Sequence, residues 1–137
     1  MDNLLSFLRS KRFRFTLITA LAYGAIYLVS RYFFFIGRPH HLYTPDWSAK
    51  NFLWIAVLLS CIPGLFGWYR YSLISLSGYI LGIVLGEIFG PTTRILDQSM
   101  PPMPVHDGWI ISIFIFLGFC LIGIFYEIYL RKQTRKT

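Results

Sequence analysis

The stretch Ser77-Gly-Tyr-Ile-Leu-Gly-Ile-Val-Leu-Gly-Glu-Ile-Phe-Gly90 places a glycine at every fourth position: Gly78, Gly82, Gly86 and Gly90. In a water-soluble helix each interior glycine costs about 1 kcal/mol relative to alanine. In lipid the same spacing bares one helix face down to backbone, so that a second helix can approach closely. The stretch therefore reads as a packing helix inside a membrane, a glycine zipper.

The rest of the chain agrees. Of its 137 residues, 55% are apolar and 19% aromatic, and only 14% are charged. Soluble domains carry charge on about 25% of residues, so a soluble domain is excluded. We expect an all-α integral membrane protein, a single membrane domain over 1–137 with four transmembrane helices at 13–36, 51–69, 72–90 and 109–130. Each is close to the ~20 residues that cross a hydrocarbon core. Only Tyr-Arg-Tyr at 69–71 and the preceding Trp68 separate the second and third spans, which predicts a tight hairpin. Pro63 near the end of the second span removes a backbone donor, and a neighbouring helix is expected to bond the freed carbonyl. The basic residues ahead of the first span resemble a signal sequence, but its apolar run continues to Ile36, which favours an uncleaved anchor.

The positive charges set an orientation. Arg9, Lys11, Arg12, Arg14, Arg70, Arg131, Lys132, Arg135 and Lys136 fall on one side. Arg31, Arg38, Lys50 and Arg94 fall on the other. The bias predicts both termini in the cytoplasm, in a plasma membrane of bacterial inner-membrane type, with anionic lipids against the basic face. Trp68, Tyr69, Tyr71, Tyr126 and Tyr129 form the inner aromatic belt. The basic tails are short and carry no nucleic-acid reader motif, so no nucleic-acid partner is expected.

Outside the spans there is little chain. Met1 to Ser10 suits a short helix on the inner surface. Thr44-Pro45-Asp46 suits a helix start, Pro101-Pro102-Met103-Pro104 favours extended backbone, and Asp107 suits a cap on the fourth helix.

Candidate site residues are few. The first span carries its own small stripe, Thr16, Ala20 and Gly24, at depths that match Gly78 and Gly82, so the first and third spans are expected to pack together. Glu87 lies about a turn below the outer end of the third span. An acid at that depth is costly unless it faces protein or water. Arg31 on the first span is the expected partner, giving an intramembrane Arg31–Glu87 ion pair. Glu127 precedes Arg131 by four residues, the favourable order for a helical pair. Apart from Glu87, the spans are read as lacking polar residues in their middle. No catalytic constellation is present. Cys61 and Cys120 have no ligand spacing and read as small packing residues. His40, His41, Asp46, His106 and Asp107 share the outer side, but no spacing imposes a ligand geometry. No metal and no cofactor are expected.

These features point to a small, non-enzymatic membrane protein of interaction or accessory type, with a membrane-protein partner or self-association. The alternative is a small homo-oligomeric transporter or channel that uses Glu87. Cysteine labelling from either side of the membrane tests the topology: Arg70→Cys should react from inside, and His41→Cys and Pro102→Cys from outside. A C-terminal tail that reacts from outside would overturn the four-span orientation.

Overall fold

The computed structural model describes residues 10–32, 44–90, 92–95, 103–106 and 108–134; it does not describe the side chains of 44–50, 92–95 and 103–106. The surface helix expected at Met1 to Ser10, the loop residues His40 and His41 and the Asp107 cap lie outside the described residues. The described chain forms four helices: α1 (Lys11–Ser30), α2 (Thr44–Leu65), α3 (Tyr69–Phe89) and α4 (Gly108–Thr134). Three of them, α1, α3 and α4, are long and apolar enough to cross a membrane; the apolar part of α2, Asn51–Leu65, is shorter.

Local chemistry accounts for the helix ends. Ser10 caps α1, its hydroxyl accepting from the Phe13 amide at 3.2 Å, which satisfies one of the free donors of the first turn. The described part of α2 starts at Thr44, seven positions ahead of the apolar run. It ends at Leu65, two residues beyond Pro63. There the Pro63 carbonyl accepts from both Phe66 and Trp68, and Gly67 adopts a φ of 85°, which glycine reaches without strain. The chain re-enters helix at Tyr69.

Pro63 also leaves the Leu59 carbonyl without its helical donor. The Tyr71 hydroxyl donates to that carbonyl at 3.1 Å, and the Ser72 hydroxyl donates to the next one, Ser60, at 2.8 Å. In lipid, where no water is at hand, such substitution is what makes a proline tolerable.

Between α3 and α4 lies a short antiparallel strand pair, Thr92–Ile95 with Met103–His106, in which Thr92 faces His106 and Ile95 faces Met103. The β-branched residues Thr92, Thr93, Ile95 and Val105 suit it. The sequence predicts extended backbone over Pro101-Pro102-Met103-Pro104 but carries no signal for the strand pairing.

The glycine face of α3 meets α4. A Cβ on Gly82 would lie 2.7 Å from the Ser112 carbonyl oxygen. One on Gly78 would strike the Phe119 side chain, and one on Gly86 would strike the Gly108 carbonyl and the Ser112 hydroxyl. Gly90 ends the helix, its amide bonded to the Gly86 carbonyl at 2.9 Å. This corrects the expected pairing of the first and third spans through small residues. Around Gly24 nothing lies within 4 Å of a Cβ position, and Ala20 is half-buried. The buried residues of α1 are Thr16, Thr19, Tyr23, Tyr27 and Ser30. Two of these, Tyr23 and Tyr27, are large side chains where a small-residue crossing would need bare backbone. The face of α4 is the better complement, since its buried positions are Gly108, Ser112, Phe116, Cys120, Gly123 and Glu127.

An aromatic core fills the space beside this seam. Phe52 of α2 packs edge-on against Phe116 with ring centres 5.2 Å apart, and Tyr79 sits 5.5 Å from Phe52 and 4.9 Å from Tyr23. Such ring pairs each add about 0.5–1.5 kcal/mol beyond area burial. The outward faces carry large apolar side chains, among them Leu21 at 65% and Phe114 at 71% exposure.

Overpacking a tight interface costs about 1–3 kcal/mol. Gly82→Ala should therefore lower the unfolding temperature in detergent, and Gly82→Leu should lower it further. Gly24→Ala should leave it unchanged or raise it slightly through helix propensity. Equal effects at the two positions would refute the α3–α4 seam.

Candidate functional site

The most polar place inside the bundle is the junction of α1, α2 and α3. The Tyr23 hydroxyl lies 2.5 Å from Ser60 Oγ, and Ser60 Oγ lies 2.6 Å from Ser75 Oγ. Ser75 Oγ in turn donates to the Ser72 carbonyl at 3.0 Å. One ordering of protons uses every donor along the shortest contacts, the Tyr23 hydroxyl also lying 3.4 Å from Ser75 Oγ. Ser75 gives its proton to the Ser72 carbonyl, Ser60 gives its own to Ser75, and Tyr23 gives its own to Ser60. All four of these residues are essentially sealed, with Tyr23, Ser60 and Ser75 at 0% exposure and Ser72 at 1%.

Polar groups continue toward the end of the bundle that holds the start of α1 and the α2–α3 turn. Thr16 Oγ1 is buried without a hydrogen-bond partner. It faces α2 at Gly64, where a Cβ would lie 3.2 Å from it and 3.0 Å from Ser72 Oγ. The Cys61 thiol makes a long contact of 3.8 Å to the Thr16 carbonyl. At the α3–α4 seam the Ser112 hydroxyl donates across the interface to the Gly82 carbonyl at 2.8 Å and shares that proton with the Gly108 carbonyl at 3.0 Å.

These side chains correct the expectation that the spans lack polar residues in their middle. Serine, threonine and tyrosine are easily passed over, because a hydroxyl in a helix can bond its own backbone one turn back. Thr19 does so, donating to the Phe15 carbonyl at 3.0 Å, as does the exposed Ser77, to Leu73 at 3.1 Å. Composition does not distinguish these from Ser60 and Ser75. One available signal was the inward stripe Thr16, Thr19, Tyr23, Tyr27 and Ser30, which recurs at helical spacing.

Glu87 is half-buried on α3, next to Gly86, and Arg31 is exposed just past the end of α1. Near the C-terminal end of α4, Glu127 is buried and accepts from Arg131 at 3.4 Å. Its second oxygen, Oε2, is buried with no hydrogen-bond partner. The Arg131 guanidinium stacks over the Trp68 ring, 5.0 Å from its centre, an arrangement worth about 0.5–1 kcal/mol where exposed. Among the described residues no cluster of three or more His, Cys, Asp or Glu side chains is placed to hold a metal ion.

Chemically, the hydroxyl junction is a set of satisfied donors and acceptors. Its members bond one another and backbone carbonyls, and an alcohol needs an adjacent base before it acts as a nucleophile. Comparison with protein-family models, with curated proteins and with solved structures finds no match for this chain.

Interhelical hydrogen bonds in membrane proteins average ~0.6 kcal/mol and reach ~1.7 kcal/mol. Tyr23→Phe, which removes one donor and leaves Ser60 bonded to Ser75, should destabilise the protein by about 0.5–1.5 kcal/mol in reversible detergent unfolding. Ser77→Ala should fall within a few tenths of a kcal/mol of the parent. If Tyr23→Phe costs nothing, the junction does not hold the three helices together.

Proposed function

We propose that this chain is a small, non-enzymatic polytopic protein of interaction or accessory type. Its four helices cross a plasma membrane of bacterial inner-membrane type with both termini in the cytoplasm, and α2 and α3 form a tight hairpin. The observation that carries this reading is the disposition of polar groups. Tyr23, Ser60, Ser72, Ser75 and Ser112 direct their hydroxyls at one another or at carbonyls. What the bundle offers outward is apolar: Leu17, Ile18, Leu21 and Leu28 on α1, and Phe114, Leu117, Leu121 and Phe125 on α4. Such faces suit lipid and neighbouring helices, and their chemistry is packing. The small-residue face of α3 is occupied by α4, so association with a partner falls to the other outward faces.

Glu87 and Arg31 enter this reading as a stitch between α3 and α1. For a partly exposed pair the expected coupling is about 1 kcal/mol or less. Glu87→Gln and Arg31→Gln should each destabilise the protein, and the double variant should recover part of the loss, as measured by thermal unfolding in detergent. Strict additivity of the two would exclude the pair. Mild-detergent purification from the native membrane tests the function itself and should yield a stoichiometric membrane-protein partner. The competing transport reading predicts instead a pure oligomer, with an ion or proton flux in liposomes that Glu87→Gln abolishes while the fold persists.

A further inference from the structure

Two arginines distant in sequence, Arg12 and Arg131, lie against the turn between α2 and α3, and a third, Arg70, follows it closely in the chain. Arg12, in the first turn of α1, lays its side chain along Gly67: its Nε would be 3.7 Å and its Cζ 3.9 Å from a Cβ built there. Arg131, near the end of α4, covers the Trp68 ring at 5.0 Å. Arg70 projects, exposed, from the first turn of α3. The turn itself is held firmly. Phe15 of α1 packs edge-on against Tyr69 with centres 4.8 Å apart, and Trp68 does the same against Tyr71 at 6.2 Å. The Phe66, Gly67 and Trp68 amides are tied back to carbonyls of the last turn of α2. Arg12 and Arg131 thus lie against a firmly held turn rather than on loose tails, and Arg70 stands in the first turn of the helix that follows it.

We propose that this cluster is a binding site for the headgroup of an anionic phospholipid. The ligand chemistry is a phosphodiester monoanion that carries acyl chains. Guanidinium groups pair with phosphate oxygens through two parallel N–H bonds, which makes arginine the side chain of choice for such groups. Basic pockets between transmembrane helices on the cytoplasmic side are a recurrent form of lipid recognition. The aromatic residues at this turn belong at headgroup depth, where the phosphate of a lipid lies. Beside the turn, the exposed apolar side chains of Phe66 and Leu73 offer a surface for the acyl chains. Glu127 holds one of the three arginines, at 3.4 Å, leaving Arg12 and Arg70 as the main phosphate ligands. The assignment rests on the reading of this turn as the cytoplasmic interface, and it adds to the general attraction of a basic face a defined place and two principal residues.

The test uses the full chain in a neutral detergent, titrated with phosphatidylglycerol or phosphatidylcholine and followed by native mass spectrometry and by the unfolding temperature. The parent should bind phosphatidylglycerol in preference and gain thermal stability as it does. Arg12→Gln/Arg70→Gln should weaken that binding about tenfold or more, since each basic side chain near a lipid surface contributes about 1 kcal/mol. Lys11→Gln/Arg14→Gln removes the same amount of charge from the first turn of α1 and should bind like the parent. Equal losses in the two double variants would mean diffuse surface charge and would overturn the site. An equal thermal shift with soluble glycerol phosphate would mean a free anion rather than a lipid, and would overturn it as well. Labelling of Arg70→Cys from the outer side would defeat the orientation alone, because binding in detergent does not depend on sidedness.

Discussion

The approach of two backbones at Gly82 and Ser112 is the contact on which the bundle depends. The Ser112 carbonyl sits 2.7 Å from the place a Cβ would take on Gly82, and the Ser112 hydroxyl bonds the Gly82 carbonyl at 2.8 Å. Lipid supplies no hydrophobic drive for helices to pair, so close van der Waals packing has to hold them, and it fades with small increases in distance. Glycine at 78, 82 and 86 makes that distance attainable. With α4 seated there, Phe116 reaches the bundle centre and meets Phe52 and Tyr79. Tyr79 in turn brings Tyr23, and with it α1, against the pair.

Buried positions include Ser60, Ser72, Ser75 and Ser112, while the outward faces of the helices carry large apolar side chains. Several inward hydroxyls do something a methyl group could not. Tyr71 bonds the carbonyl that Pro63 releases, Ser60 and Ser75 link α2 to α3, and Tyr23 joins α1 to both. Individually these bonds are weak by membrane standards. Their directionality nevertheless selects a rotation for each helix, which unspecific apolar packing would not. The alcohols of the junction are engaged, and their partners are other alcohols and carbonyls.

Much of the helical architecture was legible in the sequence, because length and composition alone identify an apolar span. The close approach of the glycine face was legible too, since only small residues at four-residue spacing permit it. Its partner was not. Thr16, Ala20 and Gly24 match the glycines in spacing, yet Tyr23 and Tyr27 dominate the inward face of α1, while Ser112 and Gly108 on α4 provide the flat surface. Choosing between them needs the rotation of each helix, which small-residue spacing does not encode. The hydroxyl junction was hidden for a related reason: Ser60 and Ser75 come from different helices, and neither lies in a local motif. The Glu127–Arg131 pair was readable because it is local, four residues apart on one helix.

The most direct test of this account is a map of which side chains touch lipid. A lipid-borne photoactivatable diazirine, followed by peptide sequencing, reports that at residue level. The account predicts labelling at Leu21, Leu28, Phe114 and Phe125, all of which are exposed. It predicts protection at Tyr23, Ser60, Gly82 and Phe116. Strong labelling along Gly78, Gly82 and Gly86 would show that face open to lipid and would contradict the packing on which everything else rests.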